Sequence, residues 1–295
     1  MKFSLRQLEV FLAIADLGNI TKAAKQLSMS QSAASDALKE LEHRLDVQLF
    51  DRVGKRLKIT AVGRTLQVRA HELIQRAQEL EQDIVGREQV GQLKVGATLT
   101  IGNYLAVPII SAFRKAHPNS QVSLKVSNTK KVVDMVANFE LDVGLIEGDS
   151  NRSELEFITL SDDELVVICA PGHALAKRKT LSDADLISAD WIVREEGSGT
   201  RQTFERGMTN IFPKLNLVLE LQNMESTKKA VKSGLGLACL SRTTMQEELA
   251  DGSLIELAVP QRDFTRQFYA VLHKQKYRSR TIEEWLRYYQ LATEI

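Results

Sequence analysis

Four polar residues at the start of one helical stretch, Ser30, Gln31, Ser32 and Ser35, form the first group whose types and spacing can do chemistry. A primary amide pairs bidentately with adenine, hydroxyls reach base edges or phosphates, and a helix N-terminus favours an anion. Lys39 follows on the same stretch. Between Arg52 and His71 the basic residues Arg52, Lys55, Arg56, Lys58, Arg64 and Arg69 are interrupted by no Asp or Glu. Cations so placed, Lys39, Arg52, Arg56 and Lys58 above all, would hold phosphates and set register without reading sequence. A serine-rich helix start can be a plain cap, and a charge run a solvated face. Their succession within the first 60 residues favours a duplex-binding surface.

A second group is Glu195-Glu196-Gly197-Ser198-Gly199-Thr200-Arg201. Two glycines let the backbone curl into a nest of N–H groups, Ser198 and Thr200 add donors, and Arg201 adds charge. A third is Thr98-Leu99-Thr100-Ile101-Gly102-Asn103, where hydroxyls and free N–H groups meet. Each corner follows a β-rich run and precedes a helical one, the arrangement in which α/β domains bind small ligands. The two are expected to face each other across a cleft and clamp a small anion. A turn that caps its helix with nothing bound is the plainer alternative.

Catalytic patterns are missing. Gly197-Ser198-Gly199 lacks the spacing of a nucleophile elbow, and no Walker-type phosphate loop is present. His43, His71, His117, His173 and His273 show no ligand spacing, so no metal is expected, nor any cofactor. Cys169 and Cys239 each sit in an apolar run and read as buried thiols of a reducing compartment, not a disulfide.

The elements that must position these residues belong to a chain of 295 residues, with 39 Lys plus Arg against 38 Asp plus Glu and 43% hydrophobic residues. That composition is ordinary for a soluble protein and, at roughly 150 residues per domain, suggests two domains. The longest apolar runs, such as Leu165 to Ala170, fall far short of the ~18 residues of a membrane span. Arg6, Gln7 and Glu9 break any signal-peptide core, so a cytoplasmic location and no membrane partner are expected.

Helical spacing predicts a first helix over residues 4–17, capped by Ser4 and closed by Gly18. A short helix from Ile20 to Leu27 follows, capped by Asn19, and then one from Gln31 to Leu45 with Ala34, Leu38, Leu41 and Leu45 inward. Residues 51–60 read as a basic hairpin. Thr60 caps a long helix reaching about Glu88, on which Leu66, Ala70, Leu73, Ala77, Leu80 and Ile84 recur at four- and three-residue steps. Such a seam suits a partner helix and predicts dimerisation. Beyond Gly91, β-rich runs alternate with amphipathic segments, an α/β organisation. The strands are expected at Leu93–Ala97, Gln121–Ser127, Val143–Ile146, Leu165–Cys169, Trp191–Arg194, Leu217–Leu221, Leu237–Ser241 and Phe268–Leu272.

Helix, short helix, turn, helix and basic hairpin in this order describe a winged helix-turn-helix. The chain strongly resembles the LysR-type transcriptional regulators. The resemblance rests on Leu5-Arg6-Gln7-Leu8-Glu9-Val10-Phe11, Thr21-Lys22-Ala23-Ala24-Lys25-Gln26-Leu27, Ser30-Gln31-Ser32-Ala33-Ala34-Ser35, Leu38-Lys39-Glu40-Leu41-Glu42, Leu49-Phe50-Asp51-Arg52 and Leu57-Lys58-Ile59-Thr60-Ala61-Val62-Gly63. It implies an α-rich winged helix-turn-helix over residues 1–60, a dimerising linker helix over 61–89, and a two-lobed α/β effector-binding domain similar to periplasmic solute-binding proteins over 90–295. One lobe would comprise 92–161 with 266–295, the other 162–265. By the same resemblance Asn128, Thr129, Glu147 and Glu225 join the effector-site candidates, their acids able to serve an amine on the ligand.

Two departures stand out. Asp46 replaces the usual Gly after the third helix, where a left-handed residue is needed. Asp36 stands where a basic residue is common, and a carboxylate there repels phosphate or accepts from cytosine. The expected function is a transcription factor binding a double-stranded DNA operator as a homodimer or homotetramer. A small, anionic effector would control it, and RNA polymerase would be a partner if it activates. The competing reading is a cytoplasmic metabolite-binding module or enzyme whose N-terminal helices serve only protein contacts.

Overall fold

The first 60 residues fold as their caps dictate. A computed structural model of the chain describes residues 2–53, 56–84, 91–148 and 150–293. Helix α1 (Leu5–Leu17) opens with a capping box, Ser4 and Gln7 each accepting from the other's backbone N–H, and closes on Gly18 at φ 59°. Helix α2 (Ile20–Gln26) starts at Asn19, whose side chain accepts from the Lys22 N–H, and α3 (Gln31–Leu45) starts at Ser30, which accepts from Ala33. Asp46 takes the left-handed conformation at φ 55°, so the turn after α3 forms without glycine. Strands β1 (Phe50–Val53) and β2 (Arg56–Ile59) pair antiparallel. Thr60 accepts from Gly63 N–H at 3.0 Å and so begins α4 (Ala61–Ile84). The predicted extension of α4 to Glu88 lies outside the described residues.

Leu8, Phe11, Ile14, Ala34, Leu41, Leu49 and Ala70 are fully buried together in one core. Each buried Leu or Phe contributes about 1.5–3 kcal/mol. Here the predicted seam needs correction. Ala70 is fully buried in this core and Leu66 packs against it, so both serve their own domain. Leu73, Leu80 and Ile84 are 43%, 59% and 77% exposed, and Ala77 is half-buried. The open stripe therefore begins a turn later than heptad spacing suggests.

The chain divides into two compact units, Met1–Val90 with Gln275–Thr281, and Gly91–Lys274 with Ile282–Ile295. Within the first, Tyr277 donates to Glu79 Oε2 at 2.6 Å. Assignment of 275–281 to this unit differs from the expectation that the sensor runs unbroken from residue 90.

In the second unit, β3 (Gln92–Thr98) leads through α5 (Leu99–Tyr104) and α6 (Ala106–Ala116) to β4 (Gln121–Ser127), then α7 (Thr129–Ala137) and β5 (Val143–Glu147). Pro108 sits in the first turn of α6, where a missing N–H removes no helix bond. The long strand β6 (Leu155–Cys169) follows, then α8 (Asp183–Ser188), β7 (Asp190–Arg194), α9 (Gly199–Gly207), β8 (Asn216–Leu221), α10 (Met224–Lys232), β9 (Ala238–Ser241), α11 (Gln246–Ala250), β10 (Ile255–Leu257), β11 (Thr265–His273) and α12 (Arg280–Thr293). β3 runs parallel to β4 and β5, and β11 joins β5 antiparallel to the first part of β6. The second part of β6 lies between β10 and β9, and a bridge from Trp191 to Leu237 links β9's approach to the β7–β8 pair.

β6 thus serves a first lobe with one end and a second with the other. Its alternation divides the second lobe's core: Leu165, Val167 and Cys169 face Trp191 and Phe204, while Val166 and Ile168 face Ile192 and Met224. β10 and the first part of β6 were not legible as strands. Both cysteines are buried and free, and burial pushes the Cys169 thiol up to about 11.

Candidate functional site

At the start of α3, Gln31 and Ser32 are exposed and Ser35 is half-buried. The Ser30 hydroxyl is committed locally, accepting from Ala33 N–H at 3.1 Å and lying 3.0 Å from Ser32 Oγ. Lys39, Asp36, Arg52 and Lys58 are exposed, while the Arg56 side chain lies outside the described residues. Strand register splits the cationic stripe. Arg52 pairs with Leu57 and shares a hairpin face with Phe50 and Ile59, whereas Lys58 pairs with Asp51 on the other face. A helix tip with a free amide and an adjacent basic hairpin can enter a groove and hold flanking phosphates.

The second unit gathers its polar residues where the lobes meet. β3 ends at Thr98, whose hydroxyl does not cap α5 but donates to the Glu147 carboxylate. Thr100 donates to the other Glu147 oxygen at 3.3 Å. Arg266, on β11, reaches the same place: it donates to Thr200 Oγ1 at 3.1 Å and Thr100 Oγ1 at 3.5 Å, and approaches Glu147 at 3.9 Å. The corner of α7 meets that of α9 directly, since Thr129 Oγ1 accepts from Gly199 N–H at 3.0 Å and donates to Glu147 O at 2.8 Å. Only glycine fits at 199, because a Cβ there would lie 2.0 Å from the Glu147 carbonyl oxygen.

The sequence model of bacterial regulatory helix-turn-helix proteins of the lysR family matches residues 5–64, and that of the LysR substrate binding domain matches residues 86–292. The chain belongs to the LysR family of transcriptional regulators. It is 41% identical to the HTH-type transcriptional regulator YeiE of Escherichia coli (strain K12) over 288 residues, 98% of this chain and 97% of that one. Full-length OxyR from Pseudomonas aeruginosa shares the fold, with TM-score 0.79 at 23% identity over 99% of this chain and 96% of that one. The CcmR regulatory domain of Synechocystis PCC6803, solved in complex with 2-PG, has TM-score 0.64 at 27% identity and covers 69% of this chain and 98% of its own.

In this LysR-type regulator the N-terminal module is the DNA-binding part and the C-terminal one the effector-binding part. Several expected effector residues have other work. Leu99 packs against the second lobe's apolar cluster rather than presenting itself to a ligand. Arg201 is already answered: its Nε donates to Glu205 at 2.5 Å, its Nη1 to the Arg194 carbonyl at 3.2 Å, and its guanidinium lies over Phe212. Asn128 caps α7 by accepting from Lys131 N–H. Glu225 belongs to a different cluster, in which it accepts from Tyr104 Oη at 3.0 Å and pairs with Lys228. Ser198, Gly199 and Thr200 do gather at the lobe junction, and Glu196 and Gly197 line a cavity beside them.

Arg266 and its partner Asp163 were missed. Arg266 alternates inward with Phe268 and Ala270 along β11, so a cation at an inward strand position was the available signal. Tyr104 and Lys228 were also missed. Lys228 is 4% exposed and donates to Tyr104 Oη at 2.9 Å and Glu248 at 3.3 Å, a latch from α5 to α10.

Proposed function

We propose that this LysR-type regulator is a cytoplasmic homo-oligomer that reads a two-fold related operator and changes its DNA geometry when a small effector bearing an anionic group binds at the lobe junction. Gln31, Ser32 and Ser35 would face base edges, with Lys39, Arg52, Arg56 and Lys58 on phosphates. Leu73, Ala77, Leu80 and Ile84 would pair two linker helices. No cofactor is needed for this cycle, and RNA polymerase joins as partner where the output is activation.

The observation that carries the effector reading is Arg266, a buried guanidinium bonded to hydroxyls of both lobes, Thr100 in one and Thr200 in the other. A ligand shifts an equilibrium only as far as it prefers one state, and a group touching both lobes distinguishes open from closed. Glu147 occupies the Thr98 and Thr100 hydroxyls, so an entering anion competes with the chain's own carboxylate. Binding of 2-PG by the CcmR domain supports a small-molecule effector in this fold.

Calorimetric titration of the full chain with a panel of small carboxylates and phosphates tests this. At least one should bind, and Thr100→Val should weaken it while affinity for a promoter fragment stays intact. Equal binding by the variant would refute the site.

A further inference from the structure

The lobe junction has two compartments, divided by the contact of Thr129 with Gly199. In the inner one Thr98, Thr100, Glu147, Thr200 and Arg266 answer one another. The outer one is a cavity of about 380 Å³ between α7 and α9, within the size range of small-ligand sites. Arg266 does not line it.

Most charges around this cavity cancel in pairs. Arg152 bridges Asp134 and Glu154, and Arg201 holds Glu205. Two remain, Lys130 and Glu196, both exposed at the rim and without an ion-pair partner among the described residues. Between them the chain is held close, Lys130 N–H donating to the Gly197 carbonyl at 3.1 Å. Gly197 has φ 86°, and a Cβ there would meet Lys130 Cβ at 3.1 Å.

The floor is Ser198. It is 4% exposed, it lines the cavity, and its hydroxyl makes no capping bond and has no hydrogen-bond partner among the described residues. Lining the cavity with no partner among those residues, this hydroxyl is free to donate to a ligand acceptor. Ser198 also marks the start of α9, a nine-residue helix whose first turn presents N–H groups and the positive end of its dipole.

Among the described residues one cation, one anion, a hydroxyl and the N–H groups of α9 that follow Gly199 remain unanswered. A simple anion would leave Glu196 repelled, and a simple amine would leave Lys130 and the helix start unanswered. A zwitterion satisfies both. We propose that this outer cavity binds a free α-amino acid, with its carboxylate on Ser198 Oγ, the first turn of α9 and Lys130, its ammonium on Glu196, and its side chain against Val133. Bound there it bridges α7 to α9 and holds the lobes together, a second input beside the anionic effector.

Titration of the full chain with each common L-α-amino acid, and with the N-acetyl and carboxamide forms of any that bind, tests the assignment. At least one should bind, and each blocked form should lose about tenfold or more, as removal of a charge-assisted bond predicts. Ser198→Ala and Glu196→Gln should each weaken binding similarly with unchanged circular dichroism, whereas Thr100→Val, in the inner compartment, should not. The proposal is overturned if no amino acid binds, if both cavity variants bind normally, or if Thr100→Val abolishes binding. Because anion binding at Arg266 is read with Thr100→Val, the two compartments fail separately.

Discussion

Arg266 and Asp163 face each other across antiparallel strands, Nε to Oδ2 at 2.7 Å, with both side chains 1% exposed. The second Asp163 oxygen accepts from Ser241 at 2.7 Å, so the carboxylate is held from two strands. A guanidinium fixed in this way has one orientation left, with its remaining nitrogens on Thr100 and Thr200.

Removing one partner leaves a buried charge unpaired, which costs about 3–5 kcal/mol. Asp163→Asn is therefore expected to lower the melting temperature of the effector-binding part sharply. Asp163→Leu combined with Arg266→Met should recover much of the loss while abolishing anion binding. A single variant that melts normally would show that the pair does not hold the junction.

The latch from Tyr104 to Lys228 and Glu248 responds to pH at both ends. Burial raises the Tyr104 phenol, and the hydrogen bond from Lys228 only partly opposes it. A raised value means stability present below the ordinary phenol range and lost as pH rises through the folded value. Burial alone would raise Glu248, but its backbone hydrogen bond and the ammonium groups of Lys228 and Lys232 outweigh it and hold the carboxyl down. That contribution is present above the ordinary carboxylate range and lost as pH falls through the folded value. Melting curves across pH should show Tyr104→Phe flattening the alkaline limb and Glu248→Gln the acid limb. Each hydrogen bond lost at neutral pH should cost about 0.5–1.5 kcal/mol.

Leu73 and Ala70 share the predicted seam but not its exposure. Leu73→Glu should leave the N-terminal fold intact while weakening oligomers and operator binding together, as sedimentation and gel shift would report. Ala70→Glu puts a charge into a fully buried site and should unfold the module itself. If Leu73→Glu leaves the solution mass unchanged, the stripe is not the oligomer contact.

On the hairpin, Arg52 and Lys58 lie on opposite faces. If both reach phosphate, Arg52→Ala and Lys58→Ala should each flatten the slope of log affinity against log salt by about 0.9. A slope altered by only one of them would assign phosphate contact to that face alone.

Local signals made the N-terminal module legible. Ser4, Asn19, Ser30 and Thr60 each satisfy N–H groups within three residues of themselves, so their capping was visible in the sequence, and α3 begins and ends where its pattern does. The corners at Thr98–Thr100 and Gly197–Thr200 were visible for the same reason, as short loops between a strand and a helix. The spacing of Leu66 to Ile84 likewise fixed one helical face.

Tertiary structure decided what covers that face and what charge sits between the corners. Spacing defines a stripe but not its neighbour, and only folding brings α1 over Ala70 while leaving Leu73 open. Arg266 meets Thr100 across 166 residues of chain, and Tyr104 meets Lys228 across 124. No local pattern encodes such pairings, because they arise when two lobes, each folded on its own apolar clusters, are pressed together by strands that serve both.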